Sequence, residues 1–124
     1  MESQDWLDKV KLLSNEQLIK THFALQEKIK KAYKLREEGS NLQKSINLCK
    51  QQIAMAPMVI KAMRDDHDEG KRQAKALGAS VSANEFYPPS HHGYRQLCII
   101  LKKSKQFDKV AELEAKRDGE GWAS

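Results

Sequence analysis

The sequence predicts an all-α domain of about six helices, arranged as antiparallel hairpins. Its 124 residues are 31% charged and only 6% aromatic, with three prolines and six glycines. Lys, Glu, Gln, Leu and Ala are favourable helix formers, so this composition is typical of a helical protein. Apolar residues recur at intervals of three and four along most of the chain, which places them on one face of a helix. The length predicts a single domain.

The first two helices are predicted over residues 4–13 and 15–38. Ser14 and Gln17 match a capping box, in which the serine hydroxyl accepts from the Gln17 amide and the Gln17 side chain reaches back. Gly39 is expected to end the second helix, because glycine adopts the left-handed conformation of a helix C-terminus at little cost. The residues expected on the buried face of the second helix are Leu18, His22, Leu25, Ile29, Ala32 and Tyr33.

A third and a fourth helix are predicted on either side of Pro57. Ser40 and Gln43 repeat the capping-box signature directly after the second helix, and so short a turn forces an antiparallel hairpin. Pro57 lacks an amide proton and disfavours helical geometry at the preceding residue, so a break is expected there. The fourth helix reaches Leu77, and its polar segment 64–76 is expected to project into solvent or fray. The buried face of the third helix is predicted to comprise Leu42, Ser45, Ile46, Cys49 and Ile53.

The C-terminal part is predicted to be a loop followed by a second hairpin. Residues 79–90 contain serines and two consecutive prolines, which favour an extended loop, and the rings of Phe86 and Tyr87 are expected to fold back onto the helices. Ser90 is expected to cap the fifth helix, and Gln106 opens the sixth. The side chains expected to face inward are Tyr94, Leu97, Cys98, Leu101, Phe107, Val110, Ala111 and Leu113.

These elements divide the single domain 1–124 into five parts. Residues 1–38 form an N-terminal helical extension and the first helix of a hairpin, and residues 40–78 form the helices that include the polar segment. The loop 79–90 leads to the C-terminal hairpin 91–117. The tail 118–124 contains two glycines and is expected to be non-helical, with Trp122 docked on the domain.

Two stretches of the chain resemble the tetratricopeptide repeat. The first stretch is similar to the second helix of that repeat at Leu42, Ser45, Ile46, Leu48, Cys49 and Pro57, and the second has a similar spacing at Tyr94, Leu97, Cys98, Leu101, Phe107 and Val110. The chain departs from the family where Cys98 replaces the commonest glycine and Val110 the commonest alanine. The resemblance covers about half of the chain. It implies a short right-handed α-solenoid whose concave face binds a peptide or helix of another protein.

The expected function is therefore non-catalytic protein binding by an adaptor. In a hairpin stack of this kind, exposed residues on the first helix of each hairpin line the groove, which points to Lys28, Arg36, Arg95 and Gln96. Basic side chains there favour an acidic peptide, with electrostatics setting the on-rate and selectivity more than the affinity. Two hairpins make a small groove, so either the affinity is modest or the chain forms a homodimer that extends the surface. No cofactor is expected.

The alternative is binding of nucleic acid through lysine-rich helix faces. The formal net charge is +5, and lysines that are dispersed in sequence can converge in space to bind phosphates in a salt-sensitive manner. The residues that would carry this function are Lys30, Lys31, Lys34, Lys102 and Lys103. Against it, the chain shows no array of Arg, Asn or Gln for reading bases and no series of exposed rings for stacking.

Catalytic and metal-binding functions have weaker support in the sequence. The acidic segment 65–69 lacks the alternating ligands and glycine turn of a calcium loop, so a solvated helix face is expected. His91 and His92 precede Cys98, but no third residue is recognisable that would orient a histidine as a base. Cys49 and Cys98 stand apart in apolar patterns, which favours buried free thiols over a disulfide or a zinc site. No apolar run approaches the roughly 20 residues that span a bilayer, and no secretory signal is visible, so a cytoplasmic location away from membranes is expected.

Overall fold

The structure, a computed structural model, describes residues 2–78 and 85–124, and it is all-helical as predicted. Over these residues there is no strand, and the only non-helical pairing is a parallel bridge between Ser90 and Ala123. The described helices are α1 (Glu2–Val10), α2 (Asn15–Lys34), α3 (Asn41–Ala76), α4 (His92–Lys103) and α5 (Phe107–Glu120).

The first hairpin pairs α2 with the N-terminal half of α3. The Ser14 hydroxyl accepts from the Gln17 amide at 3.2 Å and the Gln17 side chain accepts from the Ser14 amide at 3.0 Å, so the predicted capping box is confirmed. The helix ends at Lys34, four residues earlier than predicted, and Gly39 takes the left-handed conformation inside the turn that follows. The second predicted capping box is wrong. The Ser40 backbone is not extended, so its hydroxyl makes no capping hydrogen bond.

Helix α3 runs without interruption through Pro57, so the predicted break is wrong. Proline inside a helix costs roughly 3 kcal/mol through the lost hydrogen bond and the clash with the preceding turn. This cost is offset by burial of residues on both sides of Pro57, among them Met55, Ala56 and Val59 at 0% exposure. The 36 residues of α3 extend for about 54 Å at 1.5 Å per residue.

The polar segment 64–76 is a regular continuation of α3 with largely exposed side chains. Two ion pairs along the helix contribute to its order: Lys61 Nζ lies 2.9 Å from Asp65 Oδ2, and Arg72 Nη2 lies 2.5 Å from Glu69 Oε2. Pairs at this spacing contribute modestly to helix stability. The segment therefore projects as predicted.

The second hairpin joins α4 and α5 through a short turn in which Lys105 has a positive φ of 59°. The predicted cap at Ser90 is wrong by one residue, because the Nδ1 atom of His91 accepts from the Tyr94 amide at 3.1 Å. The predicted non-helical tail is wrong for its first three residues. Helix α5 continues to Glu120 and ends at Gly121, which has φ 94°.

The core lies where α2 and α4 pack against α3. Helix α2 lies along α3, α4 contacts both α3 and α5, and α1 contacts α3. Both cysteines are buried and free, as expected. Trp122 is buried, so its predicted docking is confirmed, and Phe86 is half-buried against the core. The fully buried side chains of largest volume are Tyr94, Ile29, Met55, His22, His91, Gln52 and Val59.

Four residues predicted to be buried are exposed. Leu42 and Phe107 lie in the first turns of α3 and α5, where no facing helix covers them, and Ala111 lies on α5, whose packing against α4 buries only a narrow stripe. Tyr87 does not fold back and is 81% exposed.

Candidate partner-binding groove

A groove of about 670 Å³ runs between α3 and α5. Helix α4 packs against both of these helices and contributes Leu97 and Leu101 to the groove. The walls are mainly apolar. The apolar side chains that line the groove are Ile46, Ile53, Ala54, Leu97, Leu101 and Leu113.

A second cavity of about 520 Å³ continues the groove towards the C-terminal end of α2. The two cavities share Ile46, Leu101 and Gln106, so they form one continuous surface depression. Tyr33 and Arg36 close this end. We call the two cavities together the α3–α5 groove.

The spacing of residues along α3 explains why the groove forms on this side. Ser45, Cys49 and Gln52 recur at intervals of four and three, and all three are fully buried against the neighbouring helices. The residues that line the groove recur with a similar period one position later, at Ile46 and Ile53. Because each helical residue advances by about 100°, these two stripes lie side by side on the helix. One stripe is completely buried by the domain, whereas the other, with Ile46 half-buried and Lys50 exposed, lines the groove.

Positive charge predominates along the edges of the groove. Lys50 on α3 and Lys109 on α5 stand on opposite walls, and no ion pair between described residues involves either of them. Lys116 also lines the groove, with its Nζ atom 2.6 Å from Glu120 Oε2. The lining acids are Glu112 and Glu37.

At the α2 end two more cations surround one ring. The guanidinium carbon of Arg36 lies 4.4 Å from the ring centroid of Tyr33, and Lys103 Nζ donates to the Tyr33 hydroxyl at 3.1 Å. Both basic side chains line the groove at this end. The ring is thus already in contact with the protein's own cations.

The four residues predicted to bind a partner do not lie together. Arg36 lines the α3–α5 groove, whereas Lys28 is exposed on α2 outside it. Arg95 lines a different cavity, of about 120 Å³, beside Ser90 and the C-terminal residues. Gln96 is buried with 7% exposure, so the expectation that it is exposed is wrong. The reason is that α4 packs against α2, α3 and α5, which buries a wide arc of its surface.

The prediction from sequence missed the open groove because it placed the binding surface on the first helix of each hairpin. The groove lies instead between the second helices, α3 and α5, and Lys50 on its edge was not singled out. A signal was present in the sequence. Lys50 stands between Ile46 and Ile53 on one helical face, a lysine inside an apolar stripe.

The lysines of the nucleic-acid alternative are all exposed, and some of them come close in space. The hydrogen bond between Lys103 and Tyr33 brings the C-terminal end of α4 to that of α2, which carries Lys31 and Lys34. Lys30 Nζ lies 3.7 Å from Glu27 Oε1. Lys102 is exposed at the end of α4 and lines the small cavity that also contains Arg95.

A cluster of buried rings that does not line the groove lies in the core. The ring of His22 stacks on that of Trp122, with centroids 5.6 Å apart, and the ring of His91 meets His22 edge to face at 5.2 Å. Burial lowers the pKa of His22 to about 4, and burial together with the neighbouring His22 lowers the pKa of His91 to about 3. Both rings are therefore neutral at physiological pH.

Both cysteine thiols are held in the protonated form. Burial raises the pKa of the Cys49 thiol to about 12, and burial followed by the nearby Glu114 raises the pKa of Cys98. A protonated thiol is a poor nucleophile. Over the described residues no group of three or more His, Cys, Asp or Glu side chains is arranged to hold a metal ion.

Comparison with protein-family models, curated protein sequences and solved structures gives no significant match. The tetratricopeptide resemblance therefore stays a prediction. Within residues 2–78 and 85–124, none of the helices combines the length and hydropathy that crossing a bilayer requires.

Proposed function

We propose that this chain is a non-catalytic, tetratricopeptide-like adaptor that binds a helix of another protein in the α3–α5 groove. The observation that carries the proposal is the continuous groove of apolar side chains from α3, α4 and α5. Clefts of this kind, with a few polar groups at the edge, are the usual form of a binding site. The same groove is also accessible to a helix of a second copy of this chain.

A helical ligand fits the groove better than an extended one. An extended peptide leaves its amide and carbonyl groups in need of hydrogen-bond partners, and the walls between the edges offer mostly methyl and methylene groups. A helix satisfies these groups internally and presents an apolar stripe. The proposed binding mode is therefore helix in groove.

Nucleic-acid binding is the second candidate, favoured by one observation. The contact between Lys103 and Tyr33 places basic residues of α2 and α4 next to one another. Phosphate binding there would need Lys30, Lys31 and Lys34, none of which lines the groove. The two candidates share Lys103 at the end of the groove, but mutation of Lys30, Lys31 and Lys34 separates them.

A cytoplasmic location goes with the proposed function. Both cysteines are free thiols, and proteins of reducing compartments keep their thiols in this state.

The proposed function is tested by site-specific photo-crosslinking in a lysate of the source organism. A photoreactive amino acid at Ala54, an exposed residue that lines the groove, should crosslink a protein that remains after nuclease treatment. The partner is identified by mass spectrometry, and binding is then repeated with the purified partner. The matched control carries the same photoreactive group at Ala24, an exposed alanine of α2 that does not line the groove.

Two sets of variants complete the test. Ala54→Arg should abolish binding of the purified partner because the long side chain fills the groove, whereas Ala24→Arg should bind normally. Crosslinking of equal strength from both positions would contradict the groove as the binding surface. The nucleic-acid alternative would be supported if the crosslinked species disappeared after nuclease treatment. The same species should then be absent in the triple variant Lys30→Glu, Lys31→Glu, Lys34→Glu.

A further inference from the structure

The charged edges of the α3–α5 groove indicate the chemistry of the partner more specifically than its apolar walls do. Five cationic side chains line the two cavities, namely Lys50, Lys109, Lys116, Arg36 and Lys103, against the two acids Glu112 and Glu37. The cations come from several different segments of the chain. The charge is therefore a property of the whole groove edge and not of one helix face.

Two of these cations, Lys50 and Lys109, contact neither an anion nor an aromatic ring among the described residues. Lys116 is paired with Glu120, and Arg36 and Lys103 contact the ring of Tyr33. Lys50 and Lys109 have neither kind of contact among the described residues, and both are exposed. They face each other across the apolar base from α3 and α5, so a ligand lying in the groove has one on each side.

The length of the groove limits the size of the ligand. The lining residues of α3 run from Gln43 to Ala54, which corresponds to about 16 Å along the helix axis. A ligand helix of about three turns, or roughly 11 residues, covers this distance.

We infer that the partner segment is an acidic amphipathic helix of about three turns, whose apolar stripe packs on the groove walls and whose carboxylates on the two edges of that stripe contact Lys50 and Lys109. This inference rests on the proposed function and adds the chemistry of the partner. Glu112 lies one turn from Lys109 on the same wall, so the ligand position opposite Glu112 is not acidic.

The test uses two synthetic peptides of about 14 residues, four turns of helix, with the same leucine stripe. One carries glutamate on both edges of the stripe and the other carries lysine, and binding of each fluorescent peptide to the full chain is measured by anisotropy. The glutamate peptide should bind about five- to tenfold more tightly, since each exposed charge pair contributes modestly. The difference should shrink as ionic strength is raised, because exposed charges are screened.

The decisive protein variant is Lys50→Glu, Lys109→Glu, which should reverse the preference between the two peptides. Its matched control is Lys28→Glu, Lys31→Glu, which changes the net charge equally at two exposed lysines outside the groove. The control should keep the original preference. All four positions are exposed, and circular dichroism and thermal unfolding of each variant check that the fold is retained.

Three results would overturn the inference. Equal binding of both peptides, lost in Ala54→Arg, would mean that the groove binds helices without selecting acidic ones, and the proposed function would survive. A control variant that shifts the preference as much as the edge variant would show a general effect of net charge. Binding of neither peptide would remove the inference, while the proposed function would still be decided independently by photo-crosslinking from Ala54.

Discussion

Gln52 and Gly93 are joined across the buried interface between α3 and α4. The Gly93 amide donates to Gln52 Oε1 at 2.8 Å, and Gln52 Nε2 donates to the His22 carbonyl of α2 at 2.9 Å. A single buried side chain therefore connects three helices. Because this contact holds α4 against α3, it also positions Leu97 and Leu101, the residues of α4 that line the groove.

The closeness of this contact predicts that Gly93→Ala is destabilising. An added Cβ atom would lie 2.6 Å from Gln52 Oε1 and 3.0 Å from His91 Cε1, and the Cys49 carbonyl oxygen is at 3.3 Å. We expect a loss of about 1–3 kcal/mol in the free energy of unfolding, as for other over-packed cores. Denaturation in urea, followed by circular dichroism, measures it.

The matched control for this variant is Gly119→Ala. Gly119 is also helical, but no neighbouring atom lies within 4 Å of the position that an added methyl group would take, so alanine should stabilise the helix by about 0.5–1 kcal/mol. Equal effects of the two substitutions would contradict the close approach of α4 to Gln52.

The hydrogen bonds of Gln52 predict a second effect. Gln52→Leu replaces the amide with an apolar side chain of similar size and leaves the buried Gly93 amide without its acceptor, whereas the His22 carbonyl lies within helix α2 and keeps its intrahelical hydrogen bond. One buried unsatisfied amide costs about 1–3 kcal/mol, so we expect the free energy of unfolding to fall by about 1–3 kcal/mol. Gln51→Leu, at a half-buried neighbouring position, should change stability by less than about 1 kcal/mol. Similar losses in both would show that the cost comes from helix α3 itself.

The helices and most of the core could be predicted from the sequence, because their signals are local. The capping box at Ser14 and the apolar stripe from Leu18 to Ala32 depend on residues within a few turns, and the structure confirms them. The break at Pro57 could not be judged in this way. Its cost is local, but the compensating burial of Met55 and Val59 comes from other helices.

The candidate site could be predicted only in part. The repeat resemblance directed attention to exposed residues of α2 and α4, yet Gln96 is covered because α4 has neighbours on three sides. A helix face stays open to solvent where no other helix packs against it. The spacing of residues within α3 or α5 does not show which faces the other helices cover. The charge of Lys50 and the apolar character of Ile53 were readable from the sequence; their position in the lining of a common groove was not.

The uninterrupted course of α3 predicts that Pro57→Ala is stabilising. Alanine restores the amide proton that can donate to the Ile53 carbonyl and removes the clash in the preceding turn, effects worth roughly 3 kcal/mol in a helix interior. Without proline the unfolded chain has more conformational entropy, which lowers the expected gain in the free energy of unfolding by about 1 kcal/mol. We therefore expect a net gain of about 1–2 kcal/mol in thermal and urea unfolding. A loss of stability would mean that the proline ring makes packing contacts that outweigh the missing hydrogen bond.

The buried histidines predict that stability falls as the pH is lowered below about 6.5. In the folded protein burial lowers the pKa of His22 to about 4 and that of His91 to about 3, whereas both histidines titrate near 6.5 in the unfolded chain. The unfolded state therefore binds more protons between these values, and acid favours it. Between pH 7 and pH 5 each histidine should contribute a loss of roughly 2 kcal/mol. The free energy of unfolding measured at several pH values tests this.

A double variant separates these histidines from the other titrating groups. In His91→Asn the amide oxygen can still accept from the Tyr94 amide and keep the N-cap of α4, and His22→Leu places an apolar side chain against Trp122. The double variant should lose much less stability than the native chain between pH 7 and pH 5, whatever its stability at pH 7. The surroundings of His91 include Lys116, His92 and Tyr94, and the first two oppose its protonation. An unchanged pH dependence in the double variant would assign the acid sensitivity to carboxylates instead.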